Sequence, residues 1–137
     1  MIRPATAEDY HDILLFLTAQ PQLTSVFKSH TETKMKRVFI MSLLHGFVYV
    51  VEKHRQIIGF FMGSIRENQW GRQCAFDLVN CSTAQTPQLL RLFYQWAKQK
   101  GAQDILLSNS FGSERLDRLI TTLGFTLETK SYIKEIV

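Results

Sequence analysis

Apolar residues in the first third of the chain recur at the spacing of α-helices. After a short predicted strand at residues 1–4, the first apolar stripe consists of Tyr10, Ile13, Leu14 and Leu17. Thr6 and Asp9 have the spacing of a capping box with Asp in place of Glu, so we expect a helix to begin there, and Pro21 ends it. A second helical stripe consists of Met35, Val38, Phe39 and Leu43, and Gly46 follows it in a C-cap position.

From residue 47 the pattern changes to runs of β-branched and aromatic residues, which are typical of strands. The runs are residues 47–51, 57–65 and 73–79, and polar turns at 52–56 and 68–71 join them. Short turns connect neighbouring strands of opposite direction, so we expect three consecutive antiparallel strands.

A helical pattern returns at residues 87–100. Thr86 can cap this helix, and Pro87 suits its first position, where a missing N–H has no cost. The apolar stripe, which ends at Gly101, consists of Leu89, Phe93, Trp96 and Ala97. The short apolar run at 105–107 then predicts a strand that is buried on both faces.

The last third of the chain predicts one more helix and two closing strands. Ser113 caps the helix, Gly124 ends it, and its apolar stripe consists of Leu116, Leu119, Ile120 and Leu123. The closing strands are expected at residues 125–128 and 131–136. The later β-α-β crossovers are expected to be right-handed and to join parallel strands, whereas the three consecutive strands are antiparallel. The pattern therefore predicts a mixed, mostly antiparallel sheet flanked by helices, in a single α/β domain over residues 1–137.

Composition narrows the class of protein. The 137 residues carry a formal charge of +4, and 45% of them are hydrophobic, which is enough for a core without a disulfide or metal. The two cysteines form no framework of spaced pairs, and the start of the chain lacks the succession of a signal peptide. No apolar stretch is long enough to cross a bilayer. We therefore expect a cytoplasmic protein without a membrane partner.

The segment 78–87 is the best candidate for anion binding. It joins a predicted strand to a helix start, where backbone N–H groups attract anions, and it carries three hydroxyls and no acidic group. These hydroxyls, on Ser82, Thr83 and Thr86, could cradle a phosphate. They could equally do no more than solvate a turn and cap a helix.

The chain as a whole resembles the GCN5-related N-acetyltransferase (GNAT) family. The resemblance rests on IRPATAED at residues 2–9, IIGF at 57–60, LLR to AKQKG within 89–101, and LGF at 123–125, together with the order of the predicted elements. It implies the GNAT acyl-CoA N-acyltransferase fold and acetyl-CoA as cosubstrate. In that family two parallel strands separate to admit the pantetheine arm, and the next helix binds the pyrophosphate.

The resemblance also implies cofactor-binding positions. The backbone around Phe76, Leu78 and Val79 corresponds to the strand that holds pantetheine. The family's phosphate loop, Arg/Gln-x-x-Gly-x-Gly/Ala, falls on Cys81, Ser82, Thr83, Ala84, Gln85 and Thr86, which lack both glycines and the leading Arg or Gln. The family's helix-starting Asn corresponds to Ser113, and its usual Tyr acid corresponds to Ile120. Arg91 or Arg115 is a candidate for neutralising the cofactor phosphates.

Acetyl transfer to an amine needs a base for the ammonium and an acid for the departing thiolate. Asp77 is the first candidate base, with Glu67 and Glu128 as further carboxylates, although each of them can also be no more than a solvated side chain. Tyr132 or a water is the candidate acid. A backbone N–H of residues 76–79 would meet the tetrahedral oxyanion.

Other patterns predict less. The four histidines have no metal-ligand spacing with the cysteines, so no metal is expected. Cys81 near a helix start could be a reactive thiol. Basic residues surround the second helix, a region that shapes the acceptor site in the resembled family; they are Lys28, Lys34, Lys36 and Arg37. Basic and aromatic residues do not interleave as in RNA-binding proteins, so a nucleic-acid partner is not expected. Trp70 could serve a homodimer contact.

The sequence therefore predicts an acetyl-CoA-dependent N-acetyltransferase that acts on a primary amine of a small molecule or a protein. The missing glycines and the missing Tyr leave a second hypothesis open, that of a catalytically inactive GNAT-like binding or regulatory module. A third hypothesis is a basic protein-interaction domain without a CoA site.

Overall fold

The sheet and helices are seen in a computed structural model that describes residues 1–19, 32–81, 85–108, 114–127, 134 and 136. The strands are β1 (Ile2–Pro4), β2 (Phe47–Lys53), β3 (Gln56–Glu67), β4 (Gln73–Cys81) and β5 (Asp104–Leu106). A 3₁₀ turn at Ala7–Asp9 precedes the helices α1 (Tyr10–Thr18), α2 (Glu32–His45), α3 (Thr86–Gln99) and α4 (Glu114–Thr122).

The five strands form one sheet in the order β1-β2-β3-β4-β5. The first three pairings are antiparallel, and β4 pairs with β5 in parallel because α3 carries the chain back across the sheet. The predicted mixed, mostly antiparallel sheet with flanking helices is confirmed. A strand is predicted at 125–128, and residues 125–127 of it are described. They form no strand, since none of the described strands pairs with them. Residues 128–133 lie outside the described residues.

Helices pack on both faces of the sheet. On the face called here the α1/α2 face, Ile13, Leu17 and Phe39 pack against Val50, Phe60 and Met62 of the strands. On the α3 face, the helix residues Leu89, Phe93 and Ala97 pack against Phe47, Phe61 and Ala75. The apolar stripes predicted for α1 and α3 therefore do form buried helix faces.

The second predicted stripe is wrong at Val38, which is 44% exposed. The other members of that stripe, Met35, Phe39 and Leu43, do pack in the core of the α1/α2 face, and Ser42 is buried beside them. Gly46 ends α2 without adopting a positive φ. Its reason for being glycine is space, because a Cβ there would lie 2.5 Å from the carbonyl oxygen of Gly63.

Two further predictions change in detail. The turn predicted at 52–56 is only the two residues His54 and Arg55, whose φ values of 52° and 62° are those of a type I′ hairpin turn. In the stripe of α4, Leu123 is 51% exposed, while Leu119 packs against the α3-face core. Gly124 has a φ of 93°, so the predicted helix-ending glycine is confirmed there.

Gly63 on β3 lies directly against Phe93 of α3. A Cβ built at Gly63 would be 2.5 Å from Cε1 of Phe93 and 3.1 Å from the carbonyl oxygen of Phe76. The absence of a side chain at this position therefore allows the Phe93 ring to reach the sheet, and it sets how closely α3 packs beside β4.

The N-terminal corner, defined here as Arg3, Thr6, Asp9 and Glu52, joins β1 to the start of α1 and to β2. Two nitrogens of the Arg3 guanidinium donate to the carboxylate of Asp9 at 2.8 Å each, and Nε donates to Glu52 at 2.7 Å. The backbone N–H of Thr6 donates to Asp9 at 2.8 Å, which confirms the predicted capping box. These bonds from Arg3 and Thr6 lower the pKa of Asp9 below its usual value.

Candidate active site

The parallel strands β4 and β5 separate after three residue pairs. Cys74, Ala75 and Phe76 pair with Asp104, Ile105 and Leu106, and β5 ends there while β4 continues to Cys81. In the part of the chain that the structure describes, β4 pairs only with β3 beyond Phe76. One edge of β4 is therefore left with backbone groups that an extended ligand can pair with.

A β-bulge in β4 coincides with this separation. Gly63 of β3 faces Asp77, and Met62 faces Val79, so Leu78 is the extra residue and is 42% exposed. A bulge bends its strand and re-aims the side chains beside it, and bulges are common next to active sites. Here the extra residue lies two positions beyond Phe76, in the part of β4 that β5 does not pair with.

Asp77 bridges the two strands where their ladder stops. Its Oδ1 accepts the backbone N–H of Ser108 at 2.9 Å, and the Ser108 hydroxyl also donates to the carboxylate. Burial raises the pKa of Asp77 to about 6, although the bonds from Ser108 act in the opposite direction. The side chain is therefore ionised near neutral pH and close to the pKa that suits a general base.

Helix α3 begins beside the end of β4. Gln85 is its N-cap and makes no side-chain cap bond, while Pro87 lies in the first turn. The prediction that Thr86 caps the helix is wrong by one position: Thr86 is the first helical residue and is buried. The first turn holds no acidic residue, so its backbone N–H groups offer an anion an electropositive end.

The structure brings together some of the predicted site residues. Phe76, Asp77 and Leu78 lie where the strands separate, and Val79 and Cys81 continue β4 toward Gln85 and Thr86. The remaining predicted positions lie outside the described residues, so their roles stay predictions; they are Ser82, Thr83, Ala84, Ser113, Glu128 and Tyr132.

Glu67 is not brought to the gap. It pairs with Gln73 at the opposite end of β4 from the bulge, so it is too far along the strand to act as the base there. Arg91 and Arg115 are exposed on α3 and α4, and their role at the cofactor phosphates stays a prediction. Ile120, at the position of the family's Tyr, is half-buried on α4.

Sequence reasoning missed Ser108 and Arg66. Ser108 follows the short strand β5 and holds Asp77, and a polar residue directly after an apolar run is the signal that could have indicated it. The prediction that this strand is buried on both faces is wrong, since Leu106 is 40% exposed. The guanidinium of Arg66 lies over the ring of Phe76, with Cζ 4.4 Å from the ring centroid. Nothing in the local sequence pattern indicates that contact, because it depends on the register of β3 against β4.

Three further observations concern the rest of the described chain. A groove of about 380 Å³ lies at the start of β5, between Tyr94, Lys98 and Leu123, and so at the other end of that strand from Asp77. The residues described here bring no three His, Cys, Asp or Glu side chains together. Among the described helices, none has the length and apolar character that a bilayer crossing requires.

Comparison with known proteins gives matches of structure only. No family model matches the chain, and no curated protein matches it in sequence. A transcriptional regulator from Bacillus halodurans C-125 is 18% identical with a TM-score of 0.76, over 99% of both chains. The aminoglycoside 6′-N-acetyltransferase AAC(6′)-Ig from Acinetobacter haemolyticus is 18% identical with a TM-score of 0.66, over 100% of this chain and 99% of its own.

A third similar structure contains a ligand. AAC(6′)-Iy, in complex with the bisubstrate analogue CoA-S-monomethyl-acetylneamine, is 15% identical with a TM-score of 0.72, over 100% of this chain and 98% of its own. Most of the similar structures are acetyltransferases. Together with the five-stranded, mostly antiparallel sheet and its separated β4 and β5, these matches confirm the predicted fold: the chain has the fold of the GCN5-related N-acetyltransferases.

Proposed function

We propose that this chain is an acetyl-CoA-dependent N-acetyltransferase that acts on a primary amine. The observation that carries the proposal is the separation of β4 from β5 at the bulge, with a raised-pKa carboxylate at the point of separation. The fold supports it, since a structure of the same fold holds a CoA-containing bisubstrate analogue.

The described residues fit an acyl-CoA in two respects. The edge of β4 beyond Phe76 offers backbone groups to an extended, amide-bearing arm, as a neighbouring strand would. The first turn of α3 offers N–H groups and no acidic side chain to a diphosphate. Acetyl-CoA supplies the acetyl group as a thioester. The residues proposed to bind it are Phe76, Leu78, Val79, the segment 81–86 and Ser113.

Asp77 is the proposed base. The amine must be neutral before its nitrogen attacks the thioester carbonyl, and Asp77, ionised at neutral pH, takes that proton directly or through a water. A new C–N bond forms while the C–S bond breaks. The departing sulfur takes a proton from Tyr132 or a water, and a backbone N–H of β4 stabilises the oxyanion in between.

Binding is tested by thermal unfolding with and without acetyl-CoA. A ligand present at 100 times its Kd adds about 2.7 kcal/mol to the free energy of unfolding, so the melting temperature should rise measurably. Replacing Ala84→Gly restores one glycine of the family's phosphate loop and should tighten binding. No shift at millimolar acetyl-CoA would exclude both the enzyme and a CoA-binding module.

Catalysis is tested with two variants of Asp77. Asp77→Asn keeps an oxygen that accepts the Ser108 N–H but removes the base, whereas Asp77→Ala removes both. If Asp77 is the base, both variants lose about 100-fold or more in kcat, and the rise of kcat/KM with pH around 6 disappears in each. If Asp77 only holds Ser108, Asp77→Asn keeps most of the activity.

The second hypothesis, a non-catalytic GNAT-like module, predicts a different experimental result. The missing glycines of segment 81–86 and the Ile120 in place of Tyr favour it. A thermal shift with acetyl-CoA, without release of free CoA across a panel of amines, would support that module and contradict the enzyme.

A further inference from the structure

Phe76 points away from α3. Its neighbour Ala75 packs with Leu89 and Phe93 on the α3 face, and successive side chains of a strand point to opposite faces. The ring of Phe76 therefore lies on the α1/α2 face. Because Phe76 and Leu106 form the last pair between β4 and β5, the ring lies directly beside the separation of the two strands.

The surface around this ring is apolar and exposed. Leu106, the cross-strand partner of Phe76, is 40% exposed, and Phe76 itself is half-buried. Residues directly opposite in a sheet share a face, so the two side chains form one continuous apolar surface. Such a surface suits the hydrocarbon part of a small ligand.

Arg66 adds a positive charge at one side of this surface. Its guanidinium carbon is 4.4 Å from the centroid of the Phe76 ring, a cation–π distance, and the side chain is exposed. Within the described part of the chain, no carboxylate pairs with Arg66 and no acceptor bonds to its guanidinium N–H groups. The ring thus holds in place a guanidinium whose donors remain available.

Two other arginines next to strands behave differently. Arg3 donates to Asp9 and Glu52, and Arg72 donates through two nitrogens to Asp104. Their charges are matched by carboxylates of this chain, whereas that of Arg66 is held over an aromatic ring. A planar guanidinium with a free fork of donors is the group that best recognises a carboxylate.

We propose that Arg66 binds a carboxylate of the acceptor, so that the acceptors of this chain are amines that carry a carboxylate across a short apolar spacer. The spacer lies along Phe76 and Leu106, and the amine points to the separated strands. Phe76 and Leu106 form the last pair of β4 and β5, so the ring leads from Arg66 to the gap between the strands. Asp77 pairs with Gly63 on the α3 face, so it takes the proton of the amine through this gap. This inference rests on the proposed function, because it assigns the acceptor of that reaction.

The first test compares matched amines. The readout is the ratio of kcat/KM for γ-aminobutyrate to kcat/KM for n-butylamine, which lacks the carboxylate. In the unmodified chain this ratio should be greater than one. Arg66→Gln should lower this ratio roughly ten- to hundred-fold, the value of a charge-assisted hydrogen bond. Arg66→Lys should lower it less, because a lysine keeps the charge without the fork. A series from glycine to ε-aminocaproate finds the best spacer.

Lys53→Gln is the control variant. It removes the same charge from an exposed residue at the end of β2, so it should leave the ratio unchanged. An equal fall in both variants would assign the effect to net charge and overturn the proposal. A preference for aminoalkyl phosphates over ω-amino carboxylates would overturn the assignment of the carboxylate.

The second test measures binding without turnover. N-acetyl-γ-aminobutyrate, which cannot react further, is titrated into the unmodified chain and into Arg66→Gln by calorimetry, with CoA present. Binding that weakens roughly ten- to hundred-fold in Arg66→Gln supports the site, even if no transfer to any amine is found. Transfer to amines without a carboxylate preference would overturn the inference and leave the proposed function standing. Neither binding nor transfer would overturn both.

Discussion

Two aspartates of this chain each accept a backbone N–H, but their pKa values shift in opposite directions. Asp9 in the N-terminal corner accepts the N–H of Thr6 at 2.8 Å, and Asp77 accepts that of Ser108 at 2.9 Å. Arg3 lies against Asp9 and lowers its pKa. Asp77 is half-buried and has no ion-pair partner among the described residues, and its pKa rises to about 6.

The difference separates a structural carboxylate from one that can accept a proton. The ion pair with Arg3 lowers the pKa of Asp9 and so favours its ionised form, which suits a residue that joins β1, α1 and β2. A carboxylate that is held by neutral donors and partly removed from water retains its affinity for a proton. Asp77 therefore combines a structural contact with the chemistry of a base.

The largest expected effect comes from removing the cation of the N-terminal corner. Arg3→Ala leaves the carboxylates of Asp9 and Glu52 without their partner, and the free energy of unfolding at pH 7 should fall by about 3 kcal/mol. Because the folded pKa of Asp9 is lowered, the stabilisation is present above the ordinary pKa of an Asp and is lost as the pH falls through the folded value.

Urea unfolding at pH 7 and at pH 3 measures this prediction. The cost of Arg3→Ala should be smaller at pH 3, because the unfolded chain takes up a proton at Asp9 below the ordinary pKa and the contribution of the ion pair declines. A cost below about 1 kcal/mol at pH 7 would mean that the pair contributes no more than an exposed salt bridge.

The second prediction concerns the packing beside the candidate site. Gly63→Ala places a methyl group 2.5 Å from Cε1 of Phe93, and overpacking of this kind should lower the free energy of unfolding by about 2 kcal/mol. Ser64→Ala, the next residue of β3 on the other face, is the matched control and should cost much less. Adding Phe93→Leu to Gly63→Ala should recover part of the loss, and no recovery would contradict the contact.

The third prediction uses the raised pKa of Asp77. Between pH 4 and pH 6 the folded protein binds more protons than the unfolded chain, so the free energy of unfolding falls as the pH rises through this range. Asp77→Asn cannot ionise and lacks this decline. The free energy of unfolding of Asp77→Asn, relative to that of the unmodified chain, should therefore increase by about 1 kcal/mol from pH 4 to pH 7. This is less than the full pKa shift corresponds to, because the side chain is half-buried.

Thermal unfolding of both chains across this pH range checks the difference. Asp12→Asn, at an exposed position on α1, is the control and should leave the pH dependence unchanged. Parallel curves for Asp77→Asn and the unmodified chain would show that the pKa of Asp77 is not raised.

The smallest expected effect lies at the β2–β3 turn, away from both aspartates. Arg55 has a φ of 62°, a left-handed conformation that costs a residue with a Cβ more than it costs glycine. Arg55→Gly should therefore raise the free energy of unfolding by about 0.5 kcal/mol, measured by urea unfolding. Arg55→Ala keeps the Cβ, so a similar gain in that variant would point to the lost charge instead of the backbone.

The sequence predicted the elements whose causes are local. The stripe of α1, the capping box at Thr6 and Asp9, and the glycine at 124 depend on spacing within one segment, and the structure confirms them. It failed at Val38, which is exposed because α2 buries only the face that contacts the sheet, with Gly46 at its end against Gly63. That contact joins two segments, and spacing within one of them carries no information about it.

The same distinction holds for the candidate site. Asp77 was identified from its position before a candidate loop, and the structure places it where β4 and β5 separate. The bulge at Leu78, the bond from Ser108 and the contact between Arg66 and Phe76 all depend on register between strands. Register is fixed by pairing across the whole sheet, so these features were not available from residue spacing.

Two helices meet the sheet at Gly63. A Cβ at Gly46, at the end of α2, would lie 2.5 Å from the carbonyl oxygen of Gly63, and a Cβ at Gly63 would lie 2.5 Å from Cε1 of Phe93. At this residue the spacing of both helices from β3 therefore depends on main-chain atoms, which exchange of neighbouring core side chains leaves in place.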